Sequence, residues 1–125
     1  MKHCKYLKRL GIKEEDYPWN WNEDDKRQRS WKKFQKIYGF DERDTWCLGY
    51  TIICLLYPRI KMYKDITPMD MKQHKFIHKD KELTEEECIN IILEQFECYL
   101  KDKDGKTNTE EAFTLLGKIC PILWW

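Results

Sequence analysis

The fold is decided by residues 46–57, which read WCLGYTIICLLY and contain no charged side chain. A stretch of this length and apolar character is typical of a helix that other elements cover on most sides. Asp41 and Asp44 precede it, where acidic side chains favour a helix start, and Pro58 follows it, where the missing N–H favours a helix end. We therefore expect a buried central helix over about 42–57.

Further helices are predicted on both sides of this helix from apolar spacing, capping residues and stop signals. Thr84 with Glu87 and Thr107 with Glu110 each have the spacing of a capping box, and Gly39 marks a helix end. The predicted helices span about 25–38, 85–101 and 108–119, and two shorter segments, 1–10 and 68–78, also carry helical signals. No stretch alternates long enough to predict a strand. The sequence thus predicts an all-α fold, a compact bundle of about four to five helices in a single domain over 1–125, with a basic N-terminal region at 1–38 and a helical core at 39–125.

The composition argues against two classes of protein, intrinsically disordered chains and membrane-spanning proteins. The chain has 125 residues, of which 36% are charged, 42% hydrophobic and 14% aromatic, and this aromatic content argues against intrinsic disorder. The longest uncharged run, residues 45–58, is shorter than the ~20 apolar residues of a membrane helix. The charged N-terminus also lacks the apolar core of a secretory signal. We expect a soluble cytoplasmic protein with no membrane partner.

The net charge of +1 hides an asymmetry along the chain. Residues 1–64 carry 15 basic and 9 acidic side chains, hence +6, whereas residues 65–125 carry 8 basic and 13 acidic side chains, hence −5. Such halves can steer a partner or neutralise each other within the fold, and the second interpretation is favoured. A near-neutral total is also not typical of a dedicated nucleic-acid binder.

Six cysteines are predicted to be free thiols, mostly buried, because several of them stand among apolar residues in helical patterns. They are Cys4, Cys47, Cys54, Cys88, Cys98 and Cys120. No serine or cysteine stands in a pattern typical of a catalytic nucleophile, so no catalytic residue and no cofactor are predicted.

Two patterns resemble metal sites without completing one, and no metal site is predicted. On a helix over 68–78, His74 and His78 would share a face, but three lysines surround them. The stretch from Asp102 to Glu111 has part of a calcium-loop spacing but lacks the first carboxylate.

A run of basic residues follows two tryptophans in the region 19–38 and leaves two interpretations open. Cations beside exposed aromatic rings are what single-stranded nucleic acid requires, for phosphate contact and base stacking. The alternative buries Trp31, Phe34 and Tyr38 and leaves a solvated basic face, and it is favoured. The candidate nucleic-acid or nucleotide contacts are Arg27, Arg29, Lys32, Lys33 and Lys36.

The order of several motifs resembles a family. GFDERDTW at 39–46 precedes the apolar helix, Pro58-Arg59-Ile60 follows it, and LTEEE at 83–87 and a terminal Leu123-Trp124-Trp125 come later. Over residues 39–125 this order resembles a recurrent family of small, uncharacterised bacteriophage and prophage proteins. The resemblance implies a phage origin and a location in the host cytoplasm, and it implies no reaction, cofactor or catalytic residue.

The leading functional hypothesis is a non-enzymatic phage protein that binds a host or phage protein and interferes with a host defence or another host process. Tryptophan is enriched in interface hot spots, and four tryptophans stand in irregular or terminal segments. The candidate partner-binding residues are Trp19, Trp21, Trp124 and Trp125. The terminal pair could equally cover the bundle. The alternatives are the nucleic-acid module described above and a virion or assembly component whose helices pack against copies of itself.

Overall fold

A computed structural model describes residues 4–17, 20–21, 25–67, 70–102 and 106–123. Helices make up most of these residues, and one small β-hairpin accompanies them. The helical class predicted from the sequence is therefore confirmed in its coarse form, with the hairpin as the exception. The helices are α1 (Lys5–Arg9), α2 (Gln28–Tyr38), α3 (Arg43–Trp46), α4 (Leu48–Ile66), α5 (Glu85–Lys101) and α6 (Glu110–Ile119), and the strands are β1 (Lys75–His78) and β2 (Lys81–Thr84).

The chain divides into two compact units, Met1–Leu56 and Tyr57–Trp125, and the division falls within α4. A single domain over 1–125 stays a prediction.

The long apolar helix exists as α4, but it is not covered on most sides. Ile53 and Cys54 are buried, whereas Leu48, Ile52 and Leu55 are between 36% and 52% exposed. An apolar sequence makes burial favourable on every face, yet only the face that meets a neighbouring element becomes buried. The prediction of a buried central helix over about 42–57 is therefore not supported.

Pro58 does not end the helix as expected, because α4 continues to Ile66. Proline removes one backbone hydrogen bond, a cost that tertiary contacts beyond it can offset. One such contact lies within the second unit: the Tyr63 hydroxyl donates to Glu85 Oε1 at 3.0 Å. Just before the proline, the Tyr57 hydroxyl donates to Glu97 Oε1 at 2.6 Å.

The helix predicted over 68–78 is wrong for the residues that the structure describes: residues 70–74 are not helical and residues 75–78 form the first strand of a hairpin, while residues 68 and 69 lie outside the described ranges. β1 pairs with β2 in antiparallel register, with Phe76 opposite Leu83. Lys79 and Asp80 join the strands with φ values of 51° and 61°. Two left-handed residues give the turn that matches the twist of a hairpin, but this turn lacks the Asn-Gly signature by which it is usually recognised.

Helices α5 and α6 form the core of the second unit. The capping box at the start of α5 is confirmed: the Glu87 amide donates to Thr84 Oγ1 and the Thr84 amide donates to Glu87 Oε1, both at 3.2 Å. Fully buried side chains line both helices, namely Cys88, Ile89, Ile92, Phe96, Ala112, Leu115 and Ile119. Glu85, the first residue of α5, is 3% exposed, and its carboxylate accepts the Tyr63 hydroxyl.

Helix α6 begins two residues later than predicted, at Glu110, and its expected capping box with Thr107 does not form. Thr107 instead bonds Asp102 Oδ2 through both its amide and its hydroxyl, each at 2.7 Å. Asn108 Oδ1 accepts the Glu110 amide at 2.9 Å. The side chain one residue further along the chain therefore supplies the bond expected from Thr107.

In the part of the chain that the structure describes, no helix combines the length and apolar content needed to cross a membrane. All six cysteines are free, as predicted, but only Cys4, Cys54 and Cys88 are buried.

Candidate binding surface

Helix α2 positions the candidate surface of the first unit. The Trp31 side chain is fully buried on one face of α2, and its indole Nε1 donates to Glu42 Oε1 at 2.8 Å. The helix ends at Gly39, whose φ of 83° lies in the left-handed region that glycine adopts without strain. This ending turns the chain back, so that Phe40 lies beside Tyr38 with ring centroids 6.3 Å apart.

Four apolar side chains are exposed together at this end of α2. They form what we call the aromatic patch, with exposed fractions of 38% for Phe34, 61% for Ile37, 62% for Tyr38 and 50% for Phe40. The Phe34 and Tyr38 rings stack at 5.9 Å with an interplanar angle of 24°. Adjacent exposed apolar side chains of this kind are typical of interaction surfaces.

The aromatic patch borders a cavity of about 250 Å³, lined by Phe34, Tyr38, Phe40, Asp41 and Glu42. Its wall is almost entirely apolar, although two acidic residues are among those that line it. A cavity of this size and character accepts one large apolar side chain, as the anchor pockets of protein interfaces do.

A buried ion pair supports the segment that carries Phe40. Asp41 and Arg43 are each 4% exposed, and Arg43 Nη2 lies 2.8 Å from Asp41 Oδ2. Gln35 Nε2 donates to the same carboxylate at 2.6 Å. Burial alone would raise the pKa of Asp41, but the hydrogen bonds from Arg43 and Gln35 outweigh it and hold the pKa below its usual value.

Four cations form a second surface on α2, which we call the basic face: Arg29, Lys32, Lys33 and Lys36. Their spacing of three, four and seven residues from Arg29 places them on one side of the helix. All four are exposed, and none forms an ion pair with a residue that the structure describes. Lys33 and Ile37 are one turn apart, so the basic face meets the aromatic patch at Ile37, whereas Phe34 and Tyr38 lie on the Trp31 side of the helix.

Arg27, predicted as a nucleic-acid contact with these four, has other partners. It forms two side-chain hydrogen bonds to Asp25, both at 2.9 Å, and lies about 5 Å from the ring centroids of Trp31 and Trp46. The hydrogen bonds from Arg27 lower the pKa of Asp25 to about 2. Arg27 therefore contributes to the packing around Trp31 and does not belong to the basic face.

Of the four predicted partner-binding tryptophans, Trp21 alone lies within the described residues; Trp19, Trp124 and Trp125 lie outside them. Trp21 is partly buried, and its ring stacks on Tyr50 at 6.2 Å with an interplanar angle of 9°. Its Nε1 donates to the Asp16 carbonyl at 3.2 Å. Both the face and the polar edge of this ring thus have partners within the first unit.

The second unit contains a polar cluster between the hairpin and α6. Glu111 Oε2 lies 2.8 Å from both His78 Nε2 and Lys79 Nζ, and Glu111 Oε1 accepts the Gln95 amide at 2.8 Å. Gln95 Oε1 in turn accepts the Ala112 amide at 2.8 Å. Since the functional groups of the cluster bond one another, the cluster fixes the hairpin against α6.

We expect this cluster to persist in moderate acid. Hydrogen bonds from Lys79 and His78 lower the pKa of Glu111 from 4.5 to about 2. Because the pKa is lower in the folded state, the stabilising contribution of Glu111 is present above pH 4.5 and is lost as the pH falls towards 2. The chemical shift of the Gln95 side-chain amide, which donates to Glu111 Oε1, should therefore show a transition below about pH 3. The variant Glu111→Gln should lack this acid transition, and the exposed control Glu82→Gln should retain it. An identical transition in Glu111→Gln would assign it to another group.

The two metal-like patterns do not form ligand clusters. His78 belongs to strand β1 and His74 precedes it, so the shared helical face required of them does not exist. Asp102 is occupied by its bonds to Thr107 and to the Lys106 amide. Among the described residues, no three acidic, histidine or cysteine side chains come together in a way that could hold a metal ion.

The buried thiols are poor nucleophiles. Burial raises the pKa of Cys54 to about 11 and raises that of Cys88 as well. Both thiols are therefore protonated at neutral pH, whereas thiol chemistry requires the thiolate.

The aromatic patch is the surface that the sequence did not indicate. Phe34 and Tyr38 lie three and seven residues from Trp31, a spacing that predicts burial with it, yet only Trp31 is buried. The pair Gly39-Phe40 is the sequence feature that could have predicted the patch. A glycine that ends a helix in the left-handed conformation turns the chain back, so an aromatic residue after it lies near the last helical turn.

The sequence matches no protein-family model, no curated protein and no solved structure at a significant level. The candidate surface therefore rests on its own geometry.

Proposed function

We propose that the protein is a non-enzymatic binding protein and that the aromatic patch of α2 is its docking surface for a partner protein. The observation that carries this proposal is the joint exposure of Phe34, Ile37, Tyr38 and Phe40 beside an apolar cavity. Aromatic side chains in a fixed arrangement supply large contact area at a low entropic cost, and they dominate the energetics of interfaces.

The surface is supported from within the first unit. Trp31 anchors one side of α2, and the Asp41–Arg43 pair holds the segment that follows Gly39. A preorganised surface loses little conformational entropy on binding, which favours affinity. This rigidity supports a binding role for the patch more strongly than exposure alone would.

The biological setting of the proposal comes from the sequence resemblance. A small phage protein in the host cytoplasm that binds a host or phage protein would interfere with a host defence or another host process. The aromatic patch replaces Trp21 as the contact surface in this proposal, because the Trp21 ring is stacked on Tyr50 and bonded to Asp16.

Affinity capture from a bacterial lysate tests the proposal when it is performed with matched variants. We expect the double variant Tyr38→Ala/Phe40→Ala to lose at least about 90% of the captured partner, since hot-spot truncations cost more than ~1.4 kcal/mol each. The control is Ile77→Ala, which removes a 72% exposed apolar side chain from the hairpin of the other unit. Quantitative mass spectrometry measures the recovery after nuclease treatment.

Equal recovery by the wild type and the Tyr38→Ala/Phe40→Ala variant would remove the aromatic patch from the proposal. Circular dichroism spectra of all variants check that the helices remain. Because Tyr38 and Phe40 are at least half exposed, their removal leaves the core intact.

A nucleic-acid module is the second candidate function, and the basic face supports it. Four exposed cations without an ion pair to any described residue are available to phosphate groups. In this alternative, capture depends on nucleic acid and disappears after nuclease treatment. Binding of an oligothymidylate that weakens steeply with salt, and that is lost in Arg29→Gln/Lys32→Gln, would favour it over the protein-binding proposal.

A further inference from the structure

The basic face and the aromatic rings of α2 point in different directions. At about 100° per residue, the four cations lie about 100–160° around the helix from the buried Trp31, whereas Phe34 and Tyr38 lie within about 60° of it. A ligand on the basic face therefore contacts the cations and not these rings. The basic face and the aromatic patch are separate sites, each with its own chemistry.

The basic face forms a groove of about 560 Å³ whose side chains all end in N–H donors. Helix α2 has no acidic residue over Gln28–Tyr38, and no ion pair joins the four cations to a residue that the structure describes. The groove therefore presents positive charge that an anionic ligand would complement. The lining residues are Gln28, Arg29, Lys32, Lys33 and Lys36.

The spacing of the cations matches the charge density of a nucleic-acid duplex. Arg29 and Lys36 are seven residues apart, which is about 10 Å along the helix at a rise of 1.5 Å per residue. Over about 10 Å a duplex presents about six phosphate charges, whereas one of its strands presents about three. When α2 lies along the nucleic acid, only a duplex offers a separate phosphate to each of the four cations.

Single-stranded nucleic acid fits the basic face less well, because its binding sites combine cations with aromatic rings on which the bases stack. The groove has no such ring among its described residues. Trp31 is fully buried, and the Phe34 and Tyr38 rings stack on each other on the other side of α2. Contacts to phosphate alone suit a duplex and carry no information on its base sequence.

An acidic protein segment and a bilayer also fit this groove less well than a duplex does. Interfaces between proteins have an apolar core and are depleted of lysine, whereas three lysines and no apolar residue line the groove. Lysine is a common phosphate ligand. A helix on a bilayer inserts its apolar side between the headgroups, but on that side of α2 the Trp31 ring is buried within the protein.

Resting on the nucleic-acid candidate of the proposed function, we infer that the basic face binds the phosphate backbone of double-stranded nucleic acid without preference for base sequence. Arg29, Lys32, Lys33 and Lys36 each neutralise one phosphate. The aromatic patch stays accessible to a protein partner while the duplex is bound.

Fluorescence anisotropy with a labelled duplex of mixed sequence tests this inference with the full-length protein. We expect a plot of the logarithm of the binding constant against that of the salt concentration to have a slope of about −3.6, since each of four phosphates contributes about −0.9. The affinity should accordingly fall about 100-fold between 50 and 200 mM salt. A duplex of unrelated sequence should bind within about twofold of the first, and one strand alone should bind at least about threefold more weakly.

Matched variants assign the binding to the basic face. In Lys32→Gln/Lys36→Gln the slope should change to about −1.8, and binding at 50 mM salt should weaken at least about tenfold, because two phosphate contacts are lost. The control Lys75→Gln/Lys81→Gln removes two exposed lysines from the hairpin of the other unit and should keep the wild-type slope. The variant Tyr38→Ala/Phe40→Ala should bind the duplex as the wild type does. Circular dichroism checks that every variant is folded.

Several outcomes would overturn the inference. An equal loss of binding in the control Lys75→Gln/Lys81→Gln would assign the binding to net charge and not to the basic face. Tighter binding of polyglutamate or of phosphatidylglycerol vesicles would replace the duplex with an acidic protein or a bilayer. An oligothymidylate that binds as tightly as the duplex, and that Lys32→Gln/Lys36→Gln releases, would reject the duplex while the nucleic-acid function stands. If neither nucleic acid binds at 50 mM salt, the inference and the nucleic-acid function both fail, and lysate capture after nuclease treatment still decides on the aromatic patch.

Discussion

The variant Arg43→Met is expected to lower the free energy of unfolding by about 3–5 kcal/mol. Arg43 is 4% exposed, and its guanidinium makes two side-chain hydrogen bonds to Asp41, at 2.9 and 2.8 Å. It also donates to the Trp21 carbonyl at 2.7 Å and lies 4.3 Å from the Trp31 ring centroid. Methionine preserves much of the volume but leaves the Asp41 carboxylate buried without its counter-ion, and the loss of one partner of a buried pair costs about this much.

Urea unfolding followed by circular dichroism measures the effect. The control Arg29→Met removes an exposed arginine of α2 and should change the stability by less than about 0.5 kcal/mol. The double variant Asp41→Leu/Arg43→Met should be more stable than Arg43→Met by at least about 2 kcal/mol, because it removes the unpaired charge. If the single and double variants were equally unstable, lost packing and not an uncompensated charge would be the cause.

The largest effect in the second unit is expected from Phe96→Ala, at about 3–5 kcal/mol. The Phe96 ring is fully buried in α5 and meets the Phe113 ring of α6, with centroids 5.3 Å apart. Truncation to alanine removes apolar contact and leaves a cavity between two helices that pack closely against each other.

Phe113→Ala is the matched control, because it removes the other ring of the same pair. Phe113 is 40% exposed, so its truncation creates little cavity and should cost about 1 kcal/mol. Urea unfolding gives the free energy of unfolding that each variant loses. The ratio of the loss in Phe96→Ala to that in Phe113→Ala therefore shows which ring belongs to the core of the second unit. Equal losses would show that the ring contact matters more than burial.

Local signals in the sequence were sufficient for the helices whose ends they mark. Gly39 ends α2 because a residue without Cβ adopts its φ of 83° freely, and Thr84 with Glu87 begins α5 through two reciprocal bonds. These features depend on residues within four positions of each other. For this reason they could be predicted without knowledge of the tertiary structure.

Features that depend on distant contacts could not be predicted in the same way. Helix α4 continues through Pro58 because residues beyond it contact α5, and the hairpin forms around a Lys-Asp turn with no glycine. In both cases a local penalty is offset by contacts with elements far along the chain.

The candidate surface illustrates the same limit. Spacing placed Phe34 and Tyr38 with Trp31 on one helical face, but spacing alone does not say how wide the covered stripe is. The basic face, which requires only that four cations share an exposed side of α2, was predicted for Arg29, Lys32, Lys33 and Lys36. Arg27 was not separable from them, because its partners include Trp46, far along the chain.

The positions of the cysteines allow the opening of each unit to be followed separately. Cys54 of the first unit and Cys88 of the second are fully buried, whereas Cys47 and Cys98, one in each unit, are exposed. In a pulsed alkylation experiment the exposed thiols react from the native state and calibrate the reagent, while each buried thiol reacts only when the structure around it opens. In each unit of the wild-type chain, the alkylation rate of a buried thiol therefore reports the opening of that unit. The opening rates of the two units can be compared without any introduced probe.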